Sequence, residues 1–206
     1  MKKSMRKLVE EGYDKGDYSG AFRATEKMGK LEKIYLSRLI KLVKKGSSIL
    51  DFGCGTGIPF DKYLTKKGFK VTGVDISKKH LSLARKNVPK ARFIKSDFSK
   101  VKFKEKFEAI ISFYAIFHIP RAEHRSLFRK MYRLLEKDGI ILVNLGASGE
   151  KYSEEKDWVG AKMAWSQYKP KVYKKILVDL GFKIIKADFE GKPGDAEYHF
   201  WILASK

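Results

Sequence analysis

From Ser47 onward, short runs of β-branched and aromatic residues alternate with longer stretches in which apolar residues return every three or four positions. The short runs predict strands at Ser48–Phe52, Lys70–Val74, Ala91–Ile94, Ala109–Phe113 and Ile140–Leu145. The longer stretches predict helices over Pro59–Lys67, Lys79–Asn87 and Ala122–Lys137, the last with Leu127, Met131, Leu134 and Leu135 on one face. Alternating strands and helices build a mostly parallel sheet with helices on both sides, because right-handed crossovers lay each helix back on the sheet. The pattern therefore predicts an α/β, doubly wound architecture.

Both flanks extend this core. Leu31 to Lys45 reads as a helix ended by Gly46, and Glu11 to Met28 sets Tyr13, Tyr18 and Phe22 among glycines and charges, which predicts a flap; residues 1–46 form an N-terminal helical extension. Val172–Leu180 reads as a helix ending at Gly181, followed by strand Phe182–Phe189, a turn over 191–195 and strand Tyr198–Ala204. Strands joined by so short a turn are antiparallel, so the sheet has seven strands and closes on an antiparallel one. Between them, Ala147 to Lys169 carries Tyr152, Trp158, Met163, Trp165 and Tyr168, too aromatic for a plain connector. It reads as a lid, although the spacing of Trp158, Ala161 and Trp165 also fits a packed helix.

A length of 206 residues suits one domain, with 47–146 as its cofactor-binding core and 147–206 as lid, helix and hairpin. With 33% charged residues and no apolar run of about 20, a membrane protein is not expected. The basic start, Met1 to Lys7, runs into Leu8-Val9-Glu10-Glu11 rather than a secretory apolar stretch, and Cys54 is the only cysteine, so a cytoplasmic location is expected. The net charge of +21 is unusual. It fits either a solvated lysine-rich surface, as in heat-adapted proteins, or an RNA footprint.

Asp51-Phe52-Gly53-Cys54-Gly55-Thr56-Gly57 follows an apolar strand and opens a helix, where missing Cβ atoms let a ligand lie on the backbone. Asp75 ends the next strand, where a carboxylate can accept from ribose hydroxyls, and Asp97 with Phe98 ends the one after, within reach of an adenine. Together they specify an adenosine-bearing ligand. An NAD dehydrogenase would space its glycines G-x-G-x-x-G against a pyrophosphate, and this loop does not.

These residues, with Phe107–Phe113 and Leu134–Gly139, make the chain resemble the class I S-adenosylmethionine-dependent methyltransferases over Ser47 to Leu145. Asp138-Gly139 stands where that family often has Pro-Gly-Gly. The resemblance implies S-adenosylmethionine as cofactor, with Asp51 and the amides of Gly53, Cys54, Gly55 and Gly57 at its methionine end. It further implies Asp75 at the ribose and Asp97 with Phe98 at the adenine, with Ile76 and Phe113 also among the cofactor-binding residues.

Methyl transfer from a sulfonium is an in-line displacement, so the protein chiefly aligns the reactants and, for some nucleophiles, removes a proton. His118 follows the fourth strand on the ligand edge and is the best-placed candidate base; His199, beside Trp201, is a second. Both also fit structural roles, and His80 and His124, inside helices with charged neighbours, read as surface residues. No pair of His or Cys has metal-ligand spacing. Tyr18, Tyr114, Trp165 and Tyr168 are candidate acceptor-pocket residues. Ser112-Phe113-Tyr114-Ala115 lacks the Asp/Asn-Pro-Pro-Tyr/Phe of base N-methyltransferases, which favours a small-molecule acceptor, anionic if it follows the surface charge, over RNA.

Overall fold

The computed structural model describes residues 4–22, 25–195 and 197–206. Positions 1–3 of the basic start and 23–24 of the expected flap lie outside the described residues. In chain order the elements begin with α1 (Met5–Lys15), α2 (Tyr18–Phe22), α3 (Lys30–Leu42), β1 (Ser48–Phe52), α4 (Phe60–Lys66), β2 (Lys70–Asp75), α5 (Lys78–Asn87), β3 (Arg92–Lys95) and β4 (Phe107–Ser112). Then come two 3-10 turns, Ile116–His118 and Arg121–Glu123, followed by α6 (His124–Leu134), β5 (Leu135–Gly146), β6 (Ser153–Trp158), β7 (Ala161–Trp165), α7 (Pro170–Asp179), β8 (Lys183–Glu190) and β9 (His199–Ser205).

Seven strands form one sheet in the order β3-β2-β1-β4-β5-β9-β8. Only β9 runs against the others, pairing antiparallel with both β5 and β8. Strands buried on both faces alternate between two cores. Leu50, Ile110, Ile141 and Ile202 face Phe128 of α6 and Tyr173 of α7, while Ile49, Ile111, Leu142 and Trp201 face Tyr35 and Leu39 of α3 and Leu64 of α4. Connections leave β1 toward β2 on one side and return to β4 on the other. This switch point opens a crevice at the carboxyl ends of the strands.

Two expectations are corrected. The helix expected to reach Lys137 stops at Leu134, and the chain joins the sheet at Leu135, opposite Phe107. The segment holding Trp158 and Trp165 is a hairpin, β6 with β7, whose connecting Val159 and Gly160 both carry positive φ, +46° and +86°. That is the sign pattern of a type I′ turn, and a valine there hides it from sequence, since Asn-Gly is its usual marker. The N-terminal extension is helical as expected, and α1 lies on β7 through Gly12, where a Cβ would come within 2.6 Å of the Lys162 carbonyl. Among the described residues no helix is long and apolar enough to cross a membrane.

Candidate active site

The loop after β1 folds back on β2. The amides of Gly53 and Cys54 donate to the Val74 carbonyl (2.8 and 3.2 Å), and Gly55 N–H donates to Asp75 Oδ2 at 2.8 Å. Asp75 Oδ1 accepts from the Ser77 amide at 2.8 Å, so this one carboxylate fixes both the loop and the start of α5. Gly55 has φ +53°, and a Cβ there would enter open space with His80 Nδ1, at 4.0 Å, its nearest neighbour. The resulting narrow pocket, of about 70 Å³, is lined by Gly53, Cys54, Gly55, Asp75, Ile76, Phe98 and Phe113 of the expected residues. Val9, Tyr13, Tyr18 and His80 form its cover.

Three expected residues stand elsewhere. Gly57 packs toward Val88, Phe93 and Ala84 behind the loop. Asp51 is buried beneath it with Asp61 of α4; burial first, then the Asp61 charge, holds the Asp51 carboxyl well above the ordinary range, and burial lifts Asp61 to about 7. Two acids so placed share a proton rather than both ionising. Asp97 is drawn away from the pocket: Arg6 Nε approaches its Oδ2 at 2.5 Å, and Ser99 donates through backbone and hydroxyl to its Oδ1. Arg6 also pairs with Glu123, while at the far end of α1 Asp14 accepts from the Ser77 hydroxyl (2.6 Å) and Lys79 reaches the Gly16 carbonyl (2.9 Å). Helix α1 is thus tied down over the pocket at both ends.

His118 is buried at the end of β4. Its Nδ1 lies 2.9 Å from the Ala164 carbonyl and its Nε2 2.7 Å from the Tyr13 hydroxyl. A carbonyl only accepts, so Nδ1 carries the hydrogen and Nε2 accepts from Tyr13. Burial pushes the His118 pKa down to about 4, leaving the ring neutral near pH 7. The surface reading of His80 and His124 is overturned. His80 is 2% exposed, its Nε2 makes no hydrogen bond, and burial lowers its pKa. His124 is fully buried between the Tyr173 hydroxyl and the Ile119 carbonyl.

A larger cavity of about 980 Å³ adjoins the first, and Tyr13, Tyr18, Tyr114 and His118 line both. Trp165 and His199 belong to its wall, with Trp158, Phe22 and Phe117, which the residue pattern alone did not single out for the site. Tyr168 does not belong: its ring packs on His124 and Tyr173 beneath the Arg121 guanidinium. Carboxylates enter from three segments, Glu32 of α3, Glu150, Glu154 and Glu155 of the segment 147–169, and Glu190, Asp195 and Glu197 of the C-terminal hairpin; among the described residues Lys27 is the one lysine. This charge is opposite to that expected for an anionic acceptor. Among the described residues no group of three or more His, Cys, Asp or Glu could hold a metal ion.

The strand order, with the glycine loop after β1 and the acid ending β2, is the Rossmann-like fold shared with solved S-adenosylmethionine-dependent methyltransferases. A family model described as a methyltransferase domain matches residues 49–139. An uncharacterized methyltransferase of Synechocystis is 31% identical over 125 residues, 59% of this chain and 58% of that protein. Sterol 24-C-methyltransferase ERG6 of Saccharomyces cerevisiae is 24% identical over 161 residues, 71% of this chain and 42% of that one. The chain spans about half the length of the curated relatives it matches. Magnesium protoporphyrin IX methyltransferase of Synechocystis, solved with bound S-adenosylmethionine, shares the fold with a TM-score of 0.74 at 18% identity, covering 100% of this chain and 98% of that one.

Proposed function

We propose that the chain transfers a methyl group from S-adenosylmethionine in the narrow pocket to a small-molecule acceptor in the large cavity. The observation that carries this reading is the junction: four side chains, Tyr13, Tyr18, Tyr114 and His118, line both spaces, so a donor in one and an acceptor in the other meet there. The residues suit the donor. Gly55 leaves a cradle that a Cβ would fill, Asp75 keeps lone pairs for ribose hydroxyls, Phe98 offers a ring face to an adenine, and His80 Nε2 awaits a polar partner. When bound, S-adenosylmethionine supplies an electrophilic methyl on a sulfonium whose departure is neutral.

Asp97 holds α1 through Arg6 in this reading rather than the adenine, and Asp51 supports the loop from below. His118 is a positioning residue. With a pKa near 4 it is a weak proton acceptor, and its bond to Tyr13 fixes that hydroxyl at the junction. The relatives named for sterol and for magnesium protoporphyrin IX are in keeping with a small acceptor. RNA fits less well, because phosphates would meet the carboxylate wall. Calorimetric titration with S-adenosylmethionine and S-adenosylhomocysteine tests the reading: both are expected to bind at one site, and no heat at millimolar ligand would defeat it.

A further inference from the structure

We propose that the acceptor is a cationic amine, a small molecule whose ammonium group is held by the carboxylate and aromatic walls of the large cavity while a second, neutral nitrogen faces the junction. This rests on the methyl-transfer reading above. Across the chain Lys and Arg outnumber Asp and Glu 45 to 24, yet among the described residues seven carboxylates line this cavity against one lysine, Glu154 being paired with Lys162 beside it. A cation is repelled by the body of a protein carrying +21 and attracted only where the local field reverses. The cavity gathers acids from three segments of the chain and adjoins the narrow pocket.

The walls repeat the preference in a second form. Trp158, stacked with Tyr18 and Phe22 at 5.7 Å and edge-on to Trp165 at 5.9 Å, belongs to an aromatic cluster in the same wall, and aromatic rings attract ammonium groups. Deeper in, the Tyr114 hydroxyl lies 3.1 Å from Glu32 Oε1 and 3.3 Å from Glu190 Oε2, one hydrogen offered to two carboxylates. Burial alone would raise the Glu190 pKa, but His199, Trp201 and Tyr114 outweigh it and keep the group ionised. His199 is nine-tenths buried in the same wall, 3.5 Å from Glu190, and its Nδ1 makes no hydrogen bond. A metal does not account for the acids, since among the described residues no three such groups converge.

The chemistry balances without a further reactant. The neutral nitrogen's lone pair forms the new N–C bond and the C–S bond breaks with its electrons passing to sulfur. The positive charge moves to the methylated nitrogen, which releases its proton to solvent at the cavity mouth. The remote ammonium stays on the acidic wall throughout and keeps the reacting nitrogen at the junction.

Spermidine, with citrate as a matched anion, provides the test by calorimetry on the full chain saturated with S-adenosylhomocysteine at ~0.15 M salt. Spermidine is expected to bind and citrate not. Glu190→Gln should weaken spermidine roughly tenfold or more. Because Glu190 also accepts from Trp201 at 2.9 Å and its loss could disturb folding, the exposed pair Glu155→Gln with Glu197→Gln provides a second variant, expected to weaken binding about twofold to fivefold. Spermidine failing to bind, citrate binding instead, or equal spermidine affinity in both variants would overturn the proposal. A chain that does not bind S-adenosylhomocysteine at all defeats the methyl-transfer reading instead, so the two failures are distinct.

Discussion

The proposed donor pocket and the proposed acceptor cavity share four side chains and little else. The first is narrow and built from one loop and the ends of adjacent strands, with a carboxylate whose two oxygens are tied to backbone amides. The second is an order of magnitude roomier and gathers residues from α3, the lid hairpin and the C-terminal hairpin, far apart in the chain. A site that must hold one invariant donor can be written locally. A site that selects an acceptor is written by elements added around the sheet, and its chemistry differs from that of the protein's surface.

The sharpest way to break this contrast is at Gly55. A side chain there must adopt φ +53° and point into the donor pocket. Backbone strain costs about 1–2 kcal/mol of loop stability, and a branched side chain excludes the ligand sterically. Gly55→Val is expected to lower S-adenosylhomocysteine affinity about a hundredfold or more by calorimetry, with an unchanged circular dichroism spectrum. Retained affinity would mean that the donor lies elsewhere.

The second test uses pH, because the two regions pull stability in opposite directions over the same window. Beneath the donor loop, Asp61 is raised from 3.8 to about 7, so the stability of the protonated pair is lost as pH rises through about 7. At the junction His118 is depressed from 6.5 to about 4, so the stability of the neutral ring is present above 6.5 and lost as pH falls through 4. Asp61→Asn should therefore match the parent protein near pH 4 and exceed it at pH 8, by about 1–2 kcal/mol or roughly 3–6 °C in Tm. His118→Gln should show the reverse trend, its deficit largest at pH 8 and shrinking toward pH 4. Parallel melting curves for parent and Asp61→Asn at all pH values would show that the buried pair carries no proton linkage.

The same contrast explains what was legible in the sequence. Gly53, Gly55 and Asp75 lie in a fixed local pattern, and their roles in shaping the pocket follow from strand, loop and helix. Glu32 and Glu190 are single acids among many, brought together by the packing of α3 beside β8 and β9, and nothing adjacent marks them. The Asp97 ion pair was not legible because its partner, Arg6, comes from 91 residues earlier, in the N-terminal extension. His80 and His124 show that charged sequence neighbours do not keep a helical residue exposed: each points inward while its neighbours point out.

The smallest expected effect concerns the one element that serves both regions. Helix α1 covers the donor pocket with Val9 and Tyr13, carries Tyr13 to the junction, and rests on the lid hairpin through Gly12. Its N-terminal end is held by Arg6, whose guanidinium bridges Asp97 and Glu123. These groups are only partly buried, so the bridge is worth about 1 kcal/mol, roughly fivefold in a rate. If donor exchange requires α1 to lift, Arg6→Met should speed both release and association of S-adenosylhomocysteine, each by up to about fivefold, in stopped-flow experiments. The acceptor side should respond too, because Tyr13 moves with the helix and its bond to His118 is lost in the lifted state. An unchanged release rate would place donor exchange on a route that bypasses α1, and the two regions would then be coupled through β4 and Tyr114 alone.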